Sequence, residues 1–172
     1  MDTLVVGDGA PWIWNLARHH FGMSQQVVDW YHAKEHLYKA GHTAYGEGSG
    51  EAIKYAKRME DLLYRGEALR VADEIETLGE GLAAEKVEAL HTQAGYFRHN
   101  HRRMQYMEMR EDGWPIGSGM VESGCKQFRA RFTGAGMRWS RAGAERLIPV
   151  RAAILSHNFD AVWSLTYNSP PN

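Results

Sequence analysis

TLVVGDGAPWIWNLARHHFGMSQQVVDWY, Thr3 to Tyr31, is the stretch from which the fold class is read. Thr3 to Val6 is a short β-branched apolar run that stops at Gly7-Asp8-Gly9. That pattern predicts a buried strand running into a glycine turn, with Asp8 at the strand's C-terminal end. Ala10-Pro11 opens a helix through Phe21, with Pro near its first turn and Trp12, Leu16 and His19 or His20 along one side. Gly22 ends it. Gln25 to Tyr31 is a second strand-like run, interrupted near its end by Asp29, and His32 to Ala40 turns helical. Both strands are nearly all apolar and so expect sheet neighbours, because two strands alone do not make a stable sheet. The reading is α/β, with part of the sheet expected from an N-terminal portion outside this sequence.

From Ser49 to Asp112 the apolar period becomes 3.6. Ser49 caps a helix through Tyr64 and Gly66 breaks it. Leu69, Ala72, Ile75 and Leu78 mark a second helix, ended by Gly79 or Gly81. A third is predicted to run unbroken from about Ala83 to Met109, with Val87, Leu90, Ala94, Phe97, Met104 and Met107 as its stripe. Further helices are expected over Met120 to Phe132, from Ser140 as N-cap to about His157, and over Phe159 to Leu165, before a frayed NSPPN tail. Three regions follow: 1–45 with the two strands, 46–112 all helical, and 113–168 helical again. The chain as a whole is predominantly helical with two short strands.

Outward from the strands, the chemistry concentrates in DGWPIGSGMVESGCKQFRARFTGAGMRWSRAG, Asp112 to Gly143. Gly and Pro in GWPIGSG cannot sustain a helix, whereas MVESGCKQFRARF can, so a tight loop delivers Glu122 to a first helical turn, facing the positive end of the helix dipole. Downstream, Lys126, Arg129, Arg131, Arg138, Arg141, Arg146 and Arg151 are opposed only by Glu145. Such a surplus suits a phosphate backbone, although an acid among arginines can equally be a structural ion pair. Arg98, Arg102 and Arg103, with His99 and His101, form another basic group that reads either as a contact surface or as a solvated helix face. Trp139 and Met137 read as core beside a helix cap, with stacking on DNA as the alternative.

The net charge of -1 over 172 residues hides this asymmetry. Glu47 to Glu88 carries eleven acids against six bases, so the basic face lies in the second half. One cysteine, Cys125, excludes an internal disulfide framework, fits a reducing cytoplasm and is expected to serve packing. No apolar run is long enough to span a membrane, and MDTLVVGDG lacks the features of a secretory signal. A cytoplasmic protein is expected.

Asp8 and Glu122 are carboxylates at a strand end and a helix start, positions from which acids can share hard divalent cations. Two such ions support phosphodiester chemistry. Asp8 between glycines also reads as a plain turn residue.

GDGAPWIWN, QQVVDWYHAKEHL, GWPIGSGMVESGCKQ and GAGMRWSRAGAE, in this order, closely resemble the C-terminal part of DDE transposases of bacterial insertion sequences, the Kra-type group nearest. The resemblance covers essentially the whole chain. It implies the C-terminal portion of a ribonuclease H-like core with an all-α insertion between the second and third acids. It also implies DNA transposition: hydrolysis at element ends and strand transfer to target DNA at a two-Mg²⁺ site, Mn²⁺ serving as well. Asp8 is similar to the second metal-binding acid and Glu122 to the third. Asp29 and His32 are similar to a Cys/Asp-x-x-His pair near that site. DNA is the implied partner, through Lys126, Arg129, Arg131, Arg138 and Arg141, together with self-association or an N-terminal transposase fragment and a place near the nucleoid.

The family's first Asp lies well before the second, and here seven residues precede Asp8; Asp2 cannot stand in for it. The resemblance therefore implies a partial transposase, inactive alone, with a non-catalytic DNA-binding or interaction fragment as the alternative. Asp29 also has a plain reading, a strand-end carboxylate bonded to the His32 ring and holding the strand-to-helix corner. HAKEH, His32 to His36, fits an inverted zinc-protease pattern but lacks a candidate third ligand.

Overall fold

The computed structural model describes residues 3–167. Asp2 and the NSPPN tail lie outside them. The chain is mostly helical with two short parallel strands and divides into two compact units, Met1–Ser118 and Gly119–Asn172.

In the first unit, β1 (Leu4–Gly7) and β2 (Gln25–Val28) pair in parallel, Leu4 opposite Gln25 and Gly7 opposite Val28. The crossover is α1 (Pro11–His20), with Pro at its start and Arg18, His19 and His20 in the last turn, where positive charge meets the negative helix end. Its buried face carries Trp14 and Ala17, whereas Trp12 and Leu16 are exposed. The side expected from sequence is thus the outer one, because the helix lays Trp14 against Asn100 and Arg103 and not only over the sheet.

The second strand is shorter than expected. Val27 and Val28 are fully buried, but the Asp29 side chain accepts the amides of Tyr31 and His32 and starts α2 (Trp30–Tyr45) one residue after the strand. Trp30 and Tyr31 are therefore helical despite their β propensity: a satisfied N-cap outweighs it. Next come α3 (Gly50–Tyr64), α4 (Ala68–Thr77) and α5 (Ala84–Asn100). Ser49 caps α3 through the Ala52 amide. Gly41 lets α2 approach α3 closely, since a Cβ there would lie 2.9 Å from the Ala52 carbonyl oxygen.

The predicted unbroken helix to Met109 is in fact α5, a 3-10 turn (His101–Arg103) and α6 (Tyr106–Glu111). Asn100 causes the break: its amide reaches back to the Tyr96 carbonyl oxygen and across to the Trp14 indole, which competes with helix continuation. The turn then carries Met104 and Tyr106 into the core, both fully buried with Leu37, Met59, Ile75 and Phe97.

The second unit comprises α7 (Gly119–Phe132), α8 (Arg141–Leu155) and α9 (Phe159–Tyr167). Ser140 caps α8 through the Gly143 amide. Ala153 is its one buried hydrophobic among the described residues. Cys125, expected to pack, is exposed on α7. Met137 and Trp139, expected in the core, remain 39% and 38% exposed, with the Trp139 ring against Phe132. Among the described residues no helix is long and apolar enough to cross a membrane.

Candidate active site

Asp8 follows the last paired residue of β1, and Asp29 the last of β2, so parallel pairing sets two acids at neighbouring strand ends. Their environments differ. Asp8 is exposed. Its Oδ1 accepts the Ala10 amide at 2.8 Å, which is the turn role read from its glycine neighbours. Its backbone carbonyl accepts the Tyr96 hydroxyl at 2.9 Å. Burial pushes the Tyr96 phenol well up, and the nearby charges of Asp8, Asp29 and Glu35 add to that, so the hydroxyl stays a donor.

Asp29 is 7% exposed and filled with donors. Oδ1 accepts the Tyr31 and His32 amides at 2.8 and 3.2 Å, and Oδ2 accepts the Ser118 amide at 2.6 Å. Burial alone would raise its pKa, but the bonds from the Ser118 hydroxyl and from the three amides outweigh it, and the carboxyl sits below its ordinary value. The Trp30 amide also donates to the Ile116 carbonyl at 2.9 Å. Gly117 lies so close to the Tyr31 ring that a Cβ would be 3.2 Å away. Asp29 therefore ties the GWPIGSG loop to the first turn of α2. The corner-holding role survives with one correction: the bond goes to the His32 backbone, not to its ring. A carboxylate accepting this many N–H groups has little left for a cation.

The His32 ring stands 3.6 Å from Glu35 and edge-on to His36. His36 faces Gln93 through Nδ1 at 2.7 Å and stacks on Tyr96 with centroids 3.6 Å apart. Burial, helped by Lys39 and His32, lowers its pKa against the opposing pull of Gln93 and Glu35, so neutral imidazole is favoured. Among the described residues no group of three or more His, Cys, Asp and Glu is arranged to hold a metal ion, which leaves HAKEH without a zinc cage. Mg²⁺ asks for less: one or two carboxylates, with water completing the shell. The exposed Asp8 carboxylate at a strand end fits that demand.

In the second unit Glu122 lies in the first turn of α7 and is exposed. Lys126 and Arg129 follow at helical spacing on the same face, and Arg131 and Arg138 are exposed as well. Arg141 pairs with Glu145 one turn on, at 2.8 Å, while its side chain stays 92% exposed. The other basic group is dismantled by the fold. Arg98 is held by Asp73 at 2.7 Å and by both oxygens of Glu76, whose carboxyl falls to about 2, chiefly through the Arg98 hydrogen bonds. Arg103 donates to Gln26 at 2.9 Å and lies 4.7 Å over the Trp14 ring. Of its three arginines, Arg102 alone is exposed.

Sequence reasoning passes over Tyr96, Asn100 and Ser118. Tyr96 and Ser118 bond acids 88 and 89 positions away and Asn100 bonds Trp14 86 positions away, and no local pattern reports such contacts. Comparisons with known protein families, curated proteins and solved structures return no match.

Proposed function

We propose that the chain is the C-terminal part of a DDE-type transposase with a ribonuclease H-like core, acting in DNA transposition. The observation that carries the reading is Asp8: an exposed carboxylate at the C-terminal end of a parallel strand, where open α/β sheets bind their ligands. The four ordered motifs support it, as does Glu122 opening a helix whose next turns expose Lys126 and Arg129. Asp8 and Glu122 serve as ligands for Mg²⁺ or Mn²⁺. Bound there, the metal would activate an attacking oxygen and stabilise the leaving one. Lys126, Arg129, Arg131, Arg138 and Arg141 hold the DNA by its phosphates, which gives position without sequence choice. DNA and an N-terminal transposase fragment, or a second copy, are the partners, in the bacterial cytoplasm.

Titration of labelled duplex DNA at two salt concentrations tests the DNA half. Weak, sequence-independent binding that falls steeply with salt is expected, and changing Lys126, Arg129 and Arg131 to Gln should flatten the salt slope by roughly one for each phosphate no longer neutralised. Salt-insensitive binding, or none at low salt, overturns it. For the chemistry, pre-nicked element-end DNA is incubated with the chain, with and without an N-terminal fragment. Metal-dependent strand transfer is expected only with the fragment; transfer by the chain alone, abolished by Glu122→Gln, would mean that the acids are misassigned. No transfer in any combination, with DNA binding intact, favours the non-catalytic fragment.

A further inference from the structure

We propose that Tyr96, on the helical insertion, is a positioning residue for the metal-binding Asp8: its hydroxyl and ring fix the turn that presents the carboxylate. The proposal rests on the reading of Asp8 as a metal ligand. Three contacts carry it. The Tyr96 hydroxyl donates to the Asp8 carbonyl at 2.9 Å. The same ring packs under Gly9, whose φ of +99° and missing Cβ are both needed: a Cβ would lie 2.7 Å from Tyr96 Cε2 and 3.1 Å from Asn100 Nδ2. Behind it, the ring stacks on His36, which Gln93 holds in turn. Asn100 extends the clamp, bonding the Trp14 indole of the helix that follows the turn. The turn between β1 and α1 is thus held from α2 and α5, elements that local sequence assigns only to packing. A carboxylate whose one oxygen already serves its own turn keeps its direction only while that turn is fixed, and supports around metal ligands commonly matter as much as this.

The test is paramagnetic broadening of the Asp8 and Gly9 amide signals by Mn²⁺ in the full chain. Wild type is compared with Asp8→Asn, Tyr96→Phe and Tyr55→Phe, each with its urea midpoint. Tyr96→Phe keeps the ring and its stack and removes only the donor. Tyr55 is the control, a buried tyrosine whose hydroxyl has no hydrogen-bond partner among the described residues. Asp8→Asn is expected to abolish the broadening, and Tyr96→Phe to need roughly tenfold more Mn²⁺ for the same effect, at a urea midpoint lowered only slightly, as the loss of a single hydrogen bond would do. Tyr55→Phe should match wild type. A Tyr96→Phe titration equal to wild type, with Asp8→Asn still abolishing it, overturns the role of Tyr96 and leaves Asp8 as a ligand. Broadening that survives Asp8→Asn overturns the metal reading itself and the proposal with it. Loss of the fold in Tyr96→Phe assigns the residue to stability instead.

Discussion

The two units are held together by different means. Around Asp8 and Asp29, hydrogen bonds join residues 88 and 89 positions apart, and the surrounding helices bury a continuous set of large side chains. In the second unit the devices are local: a Ser140 cap, an Arg141–Glu145 pair one turn apart, and the stacked rings of Phe128 and Phe132. Ala153 is the only buried hydrophobic there among the described residues, and Ile148, Ile154 and Trp163 stand 46%, 44% and 55% exposed. The first unit is stabilised by burial, the second by short-range helix rules. Substitutions of the same kind should therefore cost different amounts in the two.

The largest difference should come from truncating apolar side chains. Phe97→Ala empties a fully buried site and should cost about 3–5 kcal/mol, whereas Ile154→Ala on α8 should cost about 1 kcal/mol or less. Urea unfolding of both variants measures this, and equal losses would break the contrast.

Next is Asp29→Asn, which removes the charge on which the amides of Tyr31, His32 and Ser118 converge; a loss of roughly 1.5–3 kcal/mol is expected. The sign of its pH dependence follows from a folded pKa below the ordinary 3.8. The stabilisation is complete above the unfolded value and is lost as pH falls from there through the lower folded one. The gap between wild type and variant should be flat near neutrality and close in that acid window. A gap that narrows at neutral pH would point to another group.

Legibility from sequence follows the same division. Period and caps place most of the helices, because Ser49, Ser140 and the Gly66 break act within a turn of themselves. Two boundaries depart from the apolar pattern where a polar side chain outweighs it: Asp29, whose N-cap on the next turn makes a strand-like WY helical, and Asn100, bonded to the distant Trp14, which ends a helix whose stripe continues. Asp8 is legible as an acid at a strand end. The clamp on it is not, since Tyr96 sits beside the stripe residue Phe97 and looks like part of the same apolar face.

Caps should differ little between the units, because their energy is local. Ser49→Ala and Ser140→Ala should each cost about 1 kcal/mol, since each removes the hydroxyl oxygen that accepts the Ala52 or Gly143 amide. Far-ultraviolet circular dichroism during urea unfolding reads both. A Ser49 loss several times that of Ser140 would show that even the caps of the first unit act through its core.

The smallest effect, with the opposite sign, is expected from Tyr106→Phe. Tyr106 is fully buried, edge-on to Trp30 with centroids 4.8 Å apart, and its hydroxyl has no hydrogen-bond partner among the described residues. Burial pushes its phenol far above the ordinary value, with Tyr96 and Asp29 adding to the shift, so the group that phenylalanine lacks is a neutral hydroxyl without a bond. Its removal deletes a desolvated polar atom and keeps the ring, which should be neutral or gain up to about 1 kcal/mol. Tyr96→Phe makes the same chemical change where the hydroxyl does have an acceptor, the Asp8 carbonyl. The two variants measured side by side separate a tyrosine kept for its ring from one kept for its hydroxyl. If Tyr106→Phe destabilises by as much as Tyr96→Phe or more, the Tyr106 hydroxyl is bonded too, and the buried side of Asp29 is part of the same polar network.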